Sequence, residues 1–232
     1  MNIRVLQLGK FHPIKGGVEK VMYAFTLGLS LRGISCDMLC ASADDDVGET
    51  RLNAYARLIK TKTLAKLAAT MISPEMISVL REICHDYDII HIHYPDPMAT
   101  LALFLSGYKG KVIVHWHSDI VKQKILLQFV KPLLNWLIHR ADLILGTSPV
   151  YVSDAPMLKS VQSKVDYLPI GVRERAPDPS LVAMIRNQYP GKKIVYSMGR
   201  LVAYKGYEYL IEAAMMLPDD YVILIGGSGP LK

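Results

Sequence analysis

Two cations placed to meet an anion are the first feature of interest. Arg200 lies in Gly199-Arg200-Leu201, directly after an apolar run, and Lys205 lies in Lys205-Gly206, directly before an amphipathic one. A guanidinium and an ammonium gathered where a strand hands over to a helix suit a diphosphate. Charge, hydrogen-bond donors and helix dipole all favour negative oxygen there. The plainer account is two solvated loop cations. A second junction, Gly9-Lys10-Phe11-His12-Pro13-Ile14-Lys15-Gly16-Gly17-Val18-Glu19, carries the glycine pair Gly16 and Gly17. Without side chains these residues let backbone amides approach an oxygen-rich ligand at the positive end of a helix. A turn needing positive φ explains them equally. The dinucleotide fingerprint G-x-G-x-x-G is absent, which counts against a nicotinamide enzyme.

Histidines form two pairs, His91 with His93 and His115 with His117. Residues two apart on a strand share a face, so each pair presents two imidazoles together. Both pairs fall near strand ends, at the C-terminal edge of a parallel sheet, where such folds bind ligands. The pairs bring no obvious carboxylate anchor, so no metal is assigned to them. Structural histidines compete with contacts to a hydroxyl or a phosphate. Asp86 with Asp88, and Asp44 with Asp46, have the spacing of a metal-holding carboxylate pair. The first pair precedes its strand and the second reads as a solvated loop, so neither is given a role. Between Lys122 and Arg140 the chain carries Lys122, Lys124, Lys131 and Arg140 and no acidic residue. That segment is either a basic amphipathic helix resting on an anionic membrane or a core helix with a solvated basic face.

The elements that must position these residues follow from periodicity. Strands are expected at Ile3–Leu8, Ser35–Cys40, Asp88–His93, Lys111–His115, Asp142–Thr147 and Lys164–Leu168. Helices are expected at Val18–Arg32, Met98–Leu105 and about Gln123–Arg140, with a helical region from about Leu64 to His85 interrupted by Pro74. Continuous Ile, Val and Leu in the strands fit a parallel sheet covered on both faces, hence a doubly wound α/β domain. Residues 1–172 form this first domain and 173–180 a linker with two prolines. Alternation restarts in 181–232, with helix Ser180–Tyr189, strand Lys193–Met198, helix Tyr207–Met216 and strand Tyr221–Ile225. Two strands and two helices suggest an incomplete domain of the same type.

Of the 232 residues 51% are hydrophobic and 21% charged, enough for a buried core and far from a disordered composition. A net charge of +6 suits phosphates, nucleotides or acidic headgroups, but no basic stripe with interleaved aromatics points to nucleic acid. The three cysteines, Cys36, Cys40 and Cys84, read as small core residues in a reducing compartment. No secretory leader and no apolar run of about 18 residues is seen, so a cytoplasmic protein, at most peripheral at the inner membrane, is expected.

Taken together, Gly16-Gly17-Val18-Glu19, His91-Ile92-His93, His115-Trp116-His117-Ser118-Asp119, Ala141-Asp142-Leu143-Ile144-Leu145-Gly146-Thr147-Ser148, Leu168-Pro169-Ile170-Gly171-Val172 and Ser197-Met198-Gly199-Arg200-Leu201 with Lys205-Gly206 resemble glycosyltransferase family 4 in order and spacing. The resemblance implies a GT-B fold of retaining sugar transferases, with residues 1–172 as the acceptor-side and 181–232 as the donor-side domain, the latter truncated. It implies that Gly16 and Gly17 face the donor's phosphates, that His117 contacts the transferred sugar, and that Asp119 belongs with the substrate-binding residues. Arg200 and Lys205 then stabilise the leaving diphosphate, where charge grows as the glycosidic bond breaks. No metal and no other cofactor is implied.

The implied partners are a nucleotide sugar and a lipid-linked or saccharide acceptor, in bacterial surface polysaccharide assembly such as O-antigen or capsule. Mannose is the family-weighted donor sugar. The family's glutamate-bearing motif and most nucleotide contacts come downstream of a Gly-rich turn like Gly226–Pro230, where this sequence stops. The alternative is therefore a non-catalytic fragment, or half of a split enzyme completed by a chain supplying the donor side.

Overall fold

The computed structural model describes residues 3–67, 70–119, 124–172 and 174–232, side chains of 124–127 excepted. The chain divides into two compact units, Met1–Gly171 and Val172–Lys232.

In the first unit the elements are β1 (Arg4–His12), α1 (Gly17–Ser30), β2 (Ser35–Ser42), β3 (Gly48–Asn53), β4 (Ala56–Thr61), β5 (Ala65–Leu67), β6 (Thr70–Ile72), α2 (Glu75–Ile83), β7 (Ile89–Tyr94), α3 (Pro97–Ser106), β8 (Lys111–Trp116), α4 (Lys124–Arg140), β9 (Leu143–Gly146), α5 (Pro149–Asp154) and β10 (Val165–Tyr167). Eight strands make one sheet in the order β10-β9-β8-β7-β1-β2-β4-β3, parallel except for β3. The chain builds outward from β1 through β2 and β4, then returns to β7 on β1's other side. The C-terminal ends of β1 and β7 thus flank the switch point, the crevice where doubly wound sheets bind ligands.

Register sorts the side chains of this sheet onto two unlike faces. Leu6, Leu8, Leu39, Ile90, Ile92, Val112, Val114, Trp116 and Ile144 pack with Met76 and Leu80 of α2, Ala99 and Leu103 of α3, and Leu134 and Leu137 of α4. The opposite face carries Gln7, His91, His93 and His115, all buried, beneath Phe25 of α1. Alternation along β7 and β8 puts every second residue in the apolar core and the histidines between them on the polar face. Burial of the three free cysteines agrees with their reading as core residues.

Several elements differ from the expected ones. The stretch read as helical from Leu64 begins instead with the short antiparallel pair β5–β6. Pro74 does not interrupt a helix; it is the N-cap of α2. Its fixed φ is preorganised for a helix start. Antiparallel β3–β4 was not foreseen. Its outer strand is mostly exposed and polar, which hides the alternation of a strand. Arg57 in β4 is held by Asp37 of β2 through Nε at 3.1 Å and Nη2 at 2.9 Å, and Tyr87 donates to the same carboxylate at 2.7 Å. β1 runs on to His12 through the residues expected as a loop, with a register break between Leu8 and Phe11. Gln123, the expected start of α4, Lys122 and the side chains of Lys124, Ile125 and Leu126 lie outside the described residues, as does Arg173 of the linker.

The second unit holds α6 (Pro179–Gln188), β11 (Lys193–Met198), α7 (Tyr207–Ala214) and β12 (Tyr221–Gly226). Asp178 caps α6, accepting from Ser180 N at 2.9 Å, so Pro179 and Ser180 are helical and not linker. β11 and β12 pair in parallel over six residues, and neither α6 nor α7 buries a residue fully.

Candidate functional site

Four imidazoles fill the polar face of the sheet at the C-terminal ends of β7 and β8. His93 and His115 are register partners on neighbouring strands. The rings of His115 and His117 stack with centroids 4.2 Å apart and planes within 3°. Those of His93 and His117 lie 5.2 Å apart, within 13°. Burial holds all of them neutral: desolvation lowers His91 to about 3, His115 to about 4 and His117 to about 3, and pushes His93 well below its ordinary value. Next to them Val5, Phe25, Ile89, His91, Ile113 and Leu145 line an apolar hollow of about 460 Å³.

Ring nitrogens of His93, His115 and His117 lie within 4.8 Å of one another, and three neutral imidazoles are a ligand set for zinc. Imidazole lone pairs lie in the ring plane, however, and these three rings are stacked nearly parallel. One ion could not sit in all three planes without the rings turning. His93 is also engaged on both nitrogens, Nδ1 with His117 Nε2 at 2.9 Å and Nε2 with Gln7 Oε1 at 2.8 Å.

Beside this cluster the end of β1 turns sharply. Gly9 has φ +118°, and a Cβ there would lie 3.2 Å from both Ala99 Cβ and Asp96 Oδ2. Lys10 follows with φ +58°, a left-handed conformation that side chains other than glycine rarely take. Asp96 stabilises the turn: its Oδ2 accepts from Lys10 N at 2.5 Å while its Oδ1 caps α3, accepting from Ala99 N at 3.1 Å. Lys10 Nζ donates to the carbonyl of Pro95. The ammonium is near enough to oppose protonation of His93 and His117. Neither Gln7 nor Asp96 was singled out from the sequence. Asp96-Pro97 is a legible helix start, an acceptor followed by proline at the first helical position. Gln7 had no such signal, because its partners are remote in the chain.

Gly16 is the N-cap of α1, and a Cβ on it would fall 2.3 Å from Oε2 of the buried Glu19. Gly17 has nothing within 4 Å of where its Cβ would be. The atom nearest Gly16 is the far end of a side chain that can shift, so crowding requires glycine at neither position, and Gly17 leaves exposed backbone open at the helix start. Asp119 accepts from Trp116 Nε1 at 3.2 Å, which anchors the segment that carries His117. The carboxylate spacings are structural. Asp88 Oδ2 accepts from Arg4 N at 2.8 Å, Asp86 lies 3.9 Å from the Arg4 guanidinium, and Asp46 pairs with buried Lys60.

In the second unit Arg200 follows β11, and Lys205 lies in a short 3-10 turn, Ala203–Lys205, ended by Gly206 at φ +65°. Both are exposed. Within their unit, among the described residues, neither side chain has an ion pair or hydrogen bond; Lys205 Nζ lies 5.7 Å from the Tyr204 ring centre. The loop is fixed by backbone instead. Gly199 N donates to Gly226 O and Leu201 N to Ser228 O, each at 3.0 Å. A Cβ on Gly227 would lie 1.9 Å from Gly199 O, and one on Gly229 2.2 Å from Leu201 O. The glycines after β12 are there because the Arg200 loop lies against their backbone. Gly16, Gly17, His117 and Asp119 thus belong to one unit, Arg200 and Lys205 to the other.

Comparison with known proteins agrees with this picture. The model of Glycosyltransferase Family 4 matches residues 15–174. O-antigen chain mannosyltransferase C of Escherichia coli is 33% identical over 99% of this chain and 62% of its own length. D-rhamnosyltransferase WbpZ of Pseudomonas aeruginosa is 27% identical over 94% of this chain and 57% of its own. The chain therefore spans about three-fifths of the length of these relatives. Among solved structures, Anabaena HepE in complex with UDP superposes with a TM-score of 0.67 at 16% identity, over 98% of this chain and 61% of that one, which shows a shared GT-B fold.

Proposed function

Because the chain belongs to Glycosyltransferase Family 4, we propose that it works in transfer of a hexose from a nucleotide sugar to a lipid-linked or saccharide acceptor during assembly of O-antigen or a similar surface polysaccharide. The mannosyltransferase relative supports mannose as the sugar, and the UDP complex of a structural neighbour supports a nucleotide diphosphate leaving group. In this reading residues 1–172 form the acceptor side and 181–232 the start of the donor side.

The carrying observation is the half-buried, neutral His117 just past the C-terminal end of β8, in the same unit as the exposed Gly17 at the start of α1. A neutral imidazole in a desolvated setting can hold a sugar hydroxyl but has little basicity to move a proton at physiological pH. His117 and Asp119 accordingly position the sugar, and Gly16 and Gly17 offer backbone donors to the phosphates. Arg200 and Lys205, free of partners in their own unit, stabilise the diphosphate as negative charge accumulates in the transition state. No step requires a metal or an organic cofactor.

No helix among the described residues is long and apolar enough to cross a membrane. Exposed Phe129, at 78%, and exposed Lys131 on the same helix α4 support peripheral contact with an anionic bilayer. Arg140 has no part in that contact, since its Nη2 is bound to the carbonyls of Gly110 at 2.6 Å and Tyr108 at 3.3 Å.

The test is transfer of labelled sugar from GDP- and UDP-hexoses to lipid-linked saccharides by the protein carrying this sequence. Transfer from one donor, slowed up to about a hundredfold in His117→Ala through lost positioning of the sugar, is expected. Transfer that His117→Ala leaves unchanged would remove the site from the reaction.

A further inference from the structure

One line of hydrogen bonds crosses four neighbouring strands and ends at His117. On β2, Cys36 Sγ lies 3.7 Å from Gln7 Nε2; Gln7 Oε1, on β1, lies 2.8 Å from His93 Nε2; and His93 Nδ1, on β7, lies 2.9 Å from His117 Nε2, just past β8. Gln7, Cys36 and His93 are inaccessible to solvent, so water cannot substitute for the links among them.

Each link constrains the next. An amide oxygen only accepts, so a Gln7 oxygen facing His93 requires the hydrogen of that imidazole on Nε2. A neutral imidazole carries one hydrogen, so His93 Nδ1 is then a lone pair. That lone pair requires His117 to donate from its own Nε2.

We propose that Gln7 and His93 are positioning residues, which hold His117 in the tautomer with its hydrogen on Nε2 and leave Nδ1 as the acceptor for a hydroxyl of the donor sugar. Only the last step, the sugar hydroxyl, rests on the proposed function; the tautomer rests on the Gln7 amide lying with Nε2 toward Cys36 and Oε1 toward His93. A histidine free to exchange tautomers would meet the hydroxyl as donor in part of the molecules and as acceptor in the rest. The buried line commits it to one role before substrate arrives, as preorganised hydrogen-bonding sites do. It also explains why a glutamine lies buried beneath a histidine cluster, where an apolar residue would cost less to desolvate.

The experiment uses this chain labelled with 15N-histidine, without donor or acceptor. Long-range 1H–15N spectra at pH 7 identify which nitrogen of His93 and of His117 carries the hydrogen. Hydrogen on Nε2 in both rings is the expected result. Gln7→Leu, of similar volume, should release His93, so that His117 loses its single tautomer and signals of both forms appear. Hydrogen on Nδ1 of His117 in the native chain would overturn the proposal, since that is what a reversed Gln7 amide would impose along the whole line. A single, unchanged Nε2 tautomer in Gln7→Leu would overturn it equally. The native-chain spectrum decides the first point even if the variant does not fold. Loss of transfer activity in His117→Ala, measured separately, tests the functional reading without bearing on the tautomer.

Discussion

At His117, burial decides the protonation state. With the ring lowered to about 3 by desolvation, the neutral form is the one present above that pH, and protonation is confined to strongly acid solution. An NMR titration of His117 should therefore show no inflection between about pH 5 and 8. A midpoint near the ordinary value of 6.5 would mean that the ring is solvated and free of the line through His93. The residues of this site differ in how legible they were. Spacing alone put His91 with His93, and His115 with His117, on a common face, because a strand repeats every two residues, while the register of β7 with β8 brings the two pairs together. Gln7 could not, since only the fold lays β1 beside β7. Arg200 and Lys205 stood out from type and position, whereas the contact that fixes their loop, glycine backbone from beyond β12, runs through atoms that every residue has.

Among the elements, the parallel strands other than β4 were readable and the hairpins were not. β7, β8 and β11 are apolar runs bounded by turns, a pattern that buried strands impose. β3 and β5 are short and mostly exposed, and Leu64-Ala65-Lys66-Leu67 contains good helix formers, so local propensity pointed the wrong way until pairing overrode it. The two-stranded sheet of the second unit leaves Tyr196 and Met198 exposed at 61% and 74%. Amide exchange should consequently be faster across β11 and β12 than across β1 and β7, where both faces are buried. Equal protection would show that another surface covers the smaller sheet. Gly227→Ala, whose Cβ would fall 1.9 Å from Gly199 O, should displace the Arg200 loop and weaken the second unit by about 1–3 kcal/mol, read from a denaturant midpoint. Gly17→Ala, with open space around it, should leave stability within about 1 kcal/mol.

For the molecule as a whole, four neutral imidazoles in one low-dielectric layer tie stability to pH. Their folded values lie below the ordinary 6.5, so the unfolded chain binds more protons once pH falls below that value. Their stability is fully present above about 6.5 and is lost toward 4, by up to about 1.4 kcal/mol per pH unit for each ring kept neutral. Asp142, lowered against its burial by Lys111, Val112 and Arg140, and Asp178, lowered by hydrogen bonds from Ser180 and Leu181, lose theirs only below the ordinary carboxylate value of 3.8. The melting temperature should therefore drop between pH 6.5 and 4.5, before the carboxylates titrate; a flat profile there would mean that the cluster is not buried as described. The central claim is that this sequence serves hexosyl transfer, with Arg200 and Lys205 on the leaving diphosphate. It is tested most directly by turnover of labelled nucleotide sugar onto a lipid-linked acceptor in the Arg200→Ala, Lys205→Ala double variant of the protein carrying this sequence. The account predicts a loss of roughly a hundredfold or more, because both cations meet charge that develops mainly in the transition state. Turnover at the native rate in the double variant would contradict it.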